Sequence, residues 1–312
     1  MNTHIPPQPG RLFLTDGGLE TDFIFNRGID LPCFASIMLL RDARGRHRLD
    51  AYFRRYLEIA RGAGAGFILD SATWRASPDW AAPLGLDRAA LERLNVAAIE
   101  MLEALRAEYR TETMPVFVSG CHGPRGDGYD PERIMSIDEA RGYHGWQAEI
   151  FARAGADMLS GLTMNNVNEA IGGARAASDV GLPAVISFTV ETDGRLPTGD
   201  MLGDAIEAVD AATDGYPAYF MVNCAHPSHF ETTLAQGGGW TRRVRGLRAN
   251  ASRCSHAELD AMTALDDGDP AELGREHRAL RERLPWIDVL GGCCGTDHRH
   301  VAAIAQACLE TA

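Results

Sequence analysis

The feature that most constrains this chain is an alternation. Eight short apolar, β-rich runs, at 12–16, 66–73, 114–119, 158–164, 184–190, 218–224, 244–249 and 287–292, are separated by segments with helical spacing. Leu91, Leu94, Ala98, Leu102 and Leu105 recur at intervals of three and four, the spacing of one buried helix face. Ser136 with Glu139 predicts a capping box opening a helix through Ile150, and Asp297 predicts the cap of a last helix whose inner stripe is Val301, Ile304, Ala305 and Cys308. Strands that alternate with helices pair in parallel. Eight such units in 312 residues point to an α/β chain folded as a single (β/α)8 TIM barrel over 1–312. An open doubly wound sheet is the rival.

Charge narrows the partners. The formal net charge of -13 argues against a nucleic-acid or anionic-membrane surface. All 30 basic residues are Arg, and the absence of Lys excludes a lysine Schiff base, a PLP anchor and a P-loop lysine. The stretch 1–10 is polar and Pro-rich without the apolar core of a signal peptide, and the longest apolar run, around 34–40, is too short for a membrane span. A cytoplasmic protein is expected. Seven Cys, two of them adjacent at Cys293 and Cys294, suit metal or redox chemistry in a reducing compartment better than a disulfide framework.

A parallel barrel assembles its active site from the C-terminal ends of its strands, so those ends can be read as candidates. Cys224 follows the sixth run, and Cys293 and Cys294 follow the eighth. Three thiolates bind Zn2+ well and leave a fourth tetrahedral position open, as in a catalytic zinc site. The glycines at 291, 292 and 295 allow the tight turn that lets adjacent cysteines face one ion. Cys308 reads as core, and Cys33 and Cys254 fall in connecting segments, while Cys121 sits at a strand end. His298 and His300, two apart at a helix start, point to different helix faces and do not read as a metal pair.

With these motifs the chain resembles the zinc-dependent homocysteine S-methyltransferase family. The resemblance is carried by Thr15-Asp16-Gly17-Gly18-Leu19-Glu20-Thr21-Asp22, by Asn223-Cys224 and by Gly291-Gly292-Cys293-Cys294-Gly295-Thr296, and spans nearly the whole chain. It implies that Cys224, Cys293 and Cys294 hold Zn2+, and that the Asp16, Gly17, Gly18 loop binds the amino-acid end of a thiol substrate. Thr73, Asn223 and Asn250 at other strand ends join that loop as candidate substrate contacts. Trp74, Arg75 and Glu191 are candidates for a methyl-donor pocket, and no catalytic base is assigned. The implied reaction moves a methyl group from a small onium donor, of the S-methylmethionine, S-adenosylmethionine or betaine type, to homocysteine, giving methionine.

Two departures stand out. Family members commonly carry a Glu in a Phe-Glu-Thr run after the fourth strand, where this chain reads Gly161-Leu162-Thr163; a familiar Gln after the second strand is replaced in Trp74-Arg75-Ala76. The rival functions are a thiol methyltransferase fed by a methyl-corrinoid partner, and a zinc- or amino-acid-binding barrel without turnover. A zinc hydrolase would call for His and carboxylate ligands that these strand ends do not supply.

Overall fold

The computed structural model describes residues 5–8, 10–131 and 133–309; residues 1–4 and 9 of the N-terminal stretch read above lie outside the described residues. Eight parallel strands form a closed barrel in sequence order. They are β1 (Phe13–Leu14), β2 (Gly66–Asp70), β3 (Val116–His122), β4 (Met158–Met164), β5 (Ala184–Phe188), β6 (Tyr219–Asn223), β7 (Val244–Ala249) and β8 (Val289–Gly292). Closure is direct, with Phe13 opposite Val289 and Leu14 opposite Leu290. The open-sheet alternative is thereby excluded.

Helices return the chain outside the barrel. After a single helical turn, α1 (Leu19–Thr21), come α2 (Ala43–Ala63), α3 (Arg88–Tyr109), α4 (Ile137–Ala154), α5 (Val167–Asp179), α6 (Leu202–Thr213), α7 (Pro227–Ala235), α8 (His256–Ala261), α9 (Pro270–Arg283) and α10 (His298–Leu309). Ser136 and Glu139 form the reciprocal capping box of α4. Asp297 accepts the Arg299 backbone N–H at 2.8 Å and so satisfies a free donor at the start of α10. Val301, Ile304, Ala305 and Cys308 form the buried stripe of that helix. Bidentate pairs tie neighbouring helices at the surface, Arg54 with Glu108 between α2 and α3, and Arg141 with Asp179 between α4 and α5.

The sequence runs overshoot some strands. β2 ends at Asp70 rather than 73, because Thr73 N–H turns back to the Ser71 carbonyl and the two hydroxyls bond each other at 2.6 Å. β3 instead runs on to His122.

Inside the barrel, Phe13, Ile68, Phe117, Met158, Val185, Tyr219, Met221 and Val289 pack as an apolar plug. Nearer the C-terminal mouth the inward side chains turn polar, with the Ser119 and Ser160 hydroxyls 2.6 Å apart. The larger apolar core lies between strands and helices, where Leu49, Phe53, Leu102, Phe151, Ile206 and Ile304 are buried. Among the described residues no helix is long and apolar enough to cross a membrane.

His277 of α9 is fully buried, with Nδ1 on the Leu273 carbonyl and Nε2 unpartnered. Burial disfavours the imidazolium and pushes its pKa down to about 4. A folded-state pKa below the unfolded one gives stability that is complete above pH 6.5 and is lost as pH falls toward 4. His122 and His226, also pushed down by burial, add in the same direction. His277→Leu should therefore remove up to about 1.4 kcal/mol per pH unit from the acid-side slope of stability. Urea unfolding of both proteins across this window, if it gave parallel slopes, would refute the assignment.

Candidate metal centre and substrate cavity

The chain turns sharply after β6 and β8, and both turns are set by backbone chemistry. Cys224 takes a left-handed conformation, φ 53°, with its N–H on the Arg248 carbonyl, while Cys293 N–H reaches the Ala249 carbonyl at 2.8 Å. Gly295, at φ 79°, lets the chain leave the cysteine pair in a conformation that disfavours a side chain. Gly18 packs its Cα against the other side of this turn, where a Cβ would overlap the Cys293 carbonyl. Loops after β1 and β8 are thus fitted face to face.

These turns bring the sulfurs of Cys224, Cys293 and Cys294 within 4.8 Å of one another. Cys224 and Cys293 are bonded to each other in this structure, with Cα atoms 5.3 Å apart, and Cys294 Sγ stands 4.0 Å from Cys224 Sγ. Holding a metal requires this pair in the reduced, thiolate form. Three polar groups face the sulfurs: Thr163 Oγ1 donates to Cys224 at 3.8 Å, Asn223 Nδ2 donates to Cys293 at 3.8 Å, and the Tyr129 hydroxyl lies 3.9 Å from Cys294. Thr163 has φ 63°, rare for a β-branched residue, at a register shift between β4 and β5. Strain of this kind collects where a site needs a side chain aimed against local preference.

The cysteines open onto a cavity of about 80 Å³, whose lining includes Gly17, Glu20, Cys121, Leu162 and Thr163. Beneath it lies a buried ion cluster. Arg248 of β7 donates to Asp16 at 2.6 Å and to Asp70 at 2.5 Å. Burial pushes Asp16 up to about 6 against the pull of Arg248, and burial likewise raises Asp70. A second cavity of about 380 Å³ adjoins the first and shares Thr21, Phe34, Trp74, Tyr129 and Cys294 with it. Phe25, Asp127, Asp260 and Asp266 complete an aromatic and acidic wall.

The structure brings most, not all, of the predicted residues together. Asp16, Gly17, Gly18 and Asn223 line the smaller cavity, yet Asp16 has one oxygen on Arg248 and the other on Tyr52, and Asn223 is engaged with Thr163 and Ser187. Asn250 lines the larger cavity, buried, with its Oδ1 unpartnered. Trp74 borders both cavities and donates to the Leu162 carbonyl. Arg75 lines the larger one, but donates to the Cys33 carbonyl and lies over the Trp80 ring.

Thr73 does not line either cavity. The turn after β2 points its hydroxyl at the Cys121 carbonyl instead, where it is fully buried. Glu191 also lies outside both linings, because its carboxylate is held by His256 at 3.1 Å. Sequence reasoning missed Arg248, Glu20 and Tyr129. The available signal for Arg248 was an Arg at an inward position of an otherwise buried strand facing two strand-end aspartates; Tyr129 lies in a long loop and carried none.

A closed parallel barrel that gathers three thiols at its C-terminal mouth, beside two connected cavities, defines a barrel enzyme with a sulfur-rich, metal-competent site. The chain belongs to the homocysteine S-methyltransferase family, whose model matches residues 13–308; it is a methyltransferase. It is 28% identical to the homocysteine S-methyltransferase of Escherichia coli over 75% of this chain and 77% of that protein. Its fold is similar to that of the homocysteine methyltransferase MmuM from Escherichia coli in an oxidised form (23% identity, 95% of each chain, TM-score 0.73). It is also similar to the metallated form of MmuM (22% identity, 96% of each chain, TM-score 0.71).

Two predictions follow from this geometry. Cys224→Ala, Cys293→Ala and Cys294→Ala should each lose most of the bound metal, and Cys33→Ala, Cys254→Ala and Cys308→Ala should keep it; full occupancy of a Cys293→Ala, Cys294→Ala double variant, by plasma emission spectroscopy, would contradict the site. Arg248→Met leaves two buried carboxylates without their cation and should cost about 3 to 5 kcal/mol. Adding Asp70→Asn should recover part of that loss in urea titrations, and no recovery would show that the cluster is not electrostatically coupled.

Proposed function

We propose that this chain transfers a methyl group from a small onium donor to the thiol of homocysteine, giving methionine, at Zn2+ held by Cys224, Cys293 and Cys294. The whole of 1–312 is read as one barrel unit acting on two small molecules, in a cytoplasm that keeps these cysteines reduced. The observation that carries the reading is the convergence of three sulfurs on the smaller cavity, one of them, Cys294, also bordering the larger. The donor set suits zinc: bonds of about 2.3 Å separate the sulfurs of a tetrahedral site by roughly 3.8 Å, and Cys224 and Cys294 stand 4.0 Å apart. Bound there, zinc lowers the pKa of a coordinated thiol, so the substrate sulfur is available as the nucleophilic thiolate at neutral pH.

The rest is done by the chain. Gly17 and Gly18 bring backbone close to the amino-acid end of the thiol in the smaller cavity. Phe34, Trp74 and Tyr129 border the larger cavity, with Arg75 over the first two rings and His256 stacked on the third, and Asp260 and Asp266 with the Arg75-paired Asp127 make its lining net acidic, which favours an onium donor. Asn250 Oδ1 is free to accept a hydrogen bond from the donor. The thiol's proton passes to solvent when the sulfur binds as thiolate; with a sulfonium donor the thiolate sulfur then forms a bond to the methyl carbon as the bond from that carbon to the donor's sulfur breaks, and the electron pair stays with the donor, which leaves as a neutral thioether. No proton moves in the transfer itself, so that step calls for no base. Held a short distance apart and in line, the two molecules react as if at very high concentration.

Zinc-loaded protein given homocysteine and S-methylmethionine carrying a deuterated methyl should form deuterated methionine without corrinoid or folate, as read by mass spectrometry. If methionine forms only when a methylated corrinoid protein is supplied, direct transfer is wrong.

A further inference from the structure

Glu20 lies on α1, in the loop that joins β1 to the barrel mouth, and lines the smaller cavity together with all three cysteines. Its Oε1 accepts the Ser36 hydroxyl at 2.6 Å. The other carboxylates of this cavity, Asp16 and Asp70, share Arg248. Glu20 has no ion pair of its own among the described residues. Burial raises its pKa, the hydrogen bond from Ser36 opposes that shift, and Arg248 and Arg75 lower it from a distance. β4 contributes Leu162 to the same lining, and it offers no charge.

A partly buried carboxylate that lies beside three cysteine sulfurs and accepts a hydroxyl hydrogen bond, with no ion pair among the described residues, is costly in its ionised form unless a cation completes it. Among the described residues no cation pairs with it directly, which leaves that place to a ligand. The cavity is small, and a thiol whose sulfur sits at the cysteines has its remaining atoms within it. We propose that Glu20 is the binding residue for the α-ammonium group of the thiol amino acid, with Ser36 orienting the carboxylate. This rests on the reading of the smaller cavity as the thiol pocket. It assigns substrate selection to the loop after β1 and makes an amino group, not only a thiol, a requirement of the acceptor.

The test compares homocysteine with 4-mercaptobutanoate, which differs by lacking the amino group. Binding to zinc-loaded protein is measured by calorimetry, and methyl transfer is measured in parallel. The native protein should prefer homocysteine by about 10- to 100-fold, the worth of a hydrogen bond to a charged group. Glu20→Gln should bring the two ligands to within about threefold by weakening homocysteine alone, with zinc content and the KM of the donor unchanged. Ser36→Ala should reduce the preference by a smaller factor, and Glu20→Asp should retain part of it. Equal weakening of both thiols in Glu20→Gln would make the residue merely structural and overturn the proposal, as would a raised KM for the donor with the preference intact. If the native protein binds neither thiol, the assignment of the thiol pocket itself fails, a result separable from these because it precedes any substitution.

Discussion

The buried guanidinium of Arg248 is the contact on which the mouth of the barrel depends. Its side chain reaches Asp16 after β1, Asp70 at the end of β2 and the Gly292 carbonyl of β8, while its own carbonyl accepts the Cys224 N–H after β6. One residue thereby links four of the segments that build the site. A charge this deep is tolerated because two carboxylates share it, and they in turn are tolerated because it is there. The floor of the cavity is therefore polar but largely self-satisfied. Above it, Glu20 has no ion pair among the described residues and the three sulfurs line the same cavity.

The barrel separates support from chemistry along its axis. Aromatic and aliphatic side chains fill the N-terminal end, where Phe13, Phe117 and Tyr219 pack. Toward the mouth the same inward positions carry Ser119, Ser160, Ser187, Asn223 and Arg248, all buried. Two left-handed residues, Thr163 and Cys224, stand at the boundary, and Asn223 braces them by accepting the Thr163 N–H at 2.9 Å. Rigid strands below and strained, hydrogen-bonded turns above let the cysteines approach each other.

The architecture was legible because alternation and capping are local. Eight runs could be counted, and Ser136 and Asp297 do what their positions suggest. The cysteines were legible because a strand-end position in a parallel barrel specifies a place in space. Thr73 and Glu191 were misplaced for the opposite reason. Past the last ladder hydrogen bond a side chain no longer alternates, so its direction depends on turn contacts such as Thr73 with the Cys121 carbonyl, which no short-range pattern encodes. Arg248 was overlooked because its partners are 178 and 232 residues away. Glu20 stood inside a quoted motif, yet its environment comes from Ser36 and the β8 turn.

The helix-to-helix pairs at the surface, Arg54 with Glu108 and Arg141 with Asp179, use guanidinium groups because the chain contains no lysine. A guanidinium stays protonated at any pH a protein survives, whereas an ammonium begins to neutralise above pH 10. Among the described residues, the cationic half of every ion pair except those of histidine is thus insensitive to alkali. Base can act on the fold through cysteine and tyrosine hydrogens, and Tyr52 and Tyr129 are raised further by burial. The stability profile is consequently lopsided, vulnerable on the acid side through carboxylates and buried imidazoles and broad on the alkaline side.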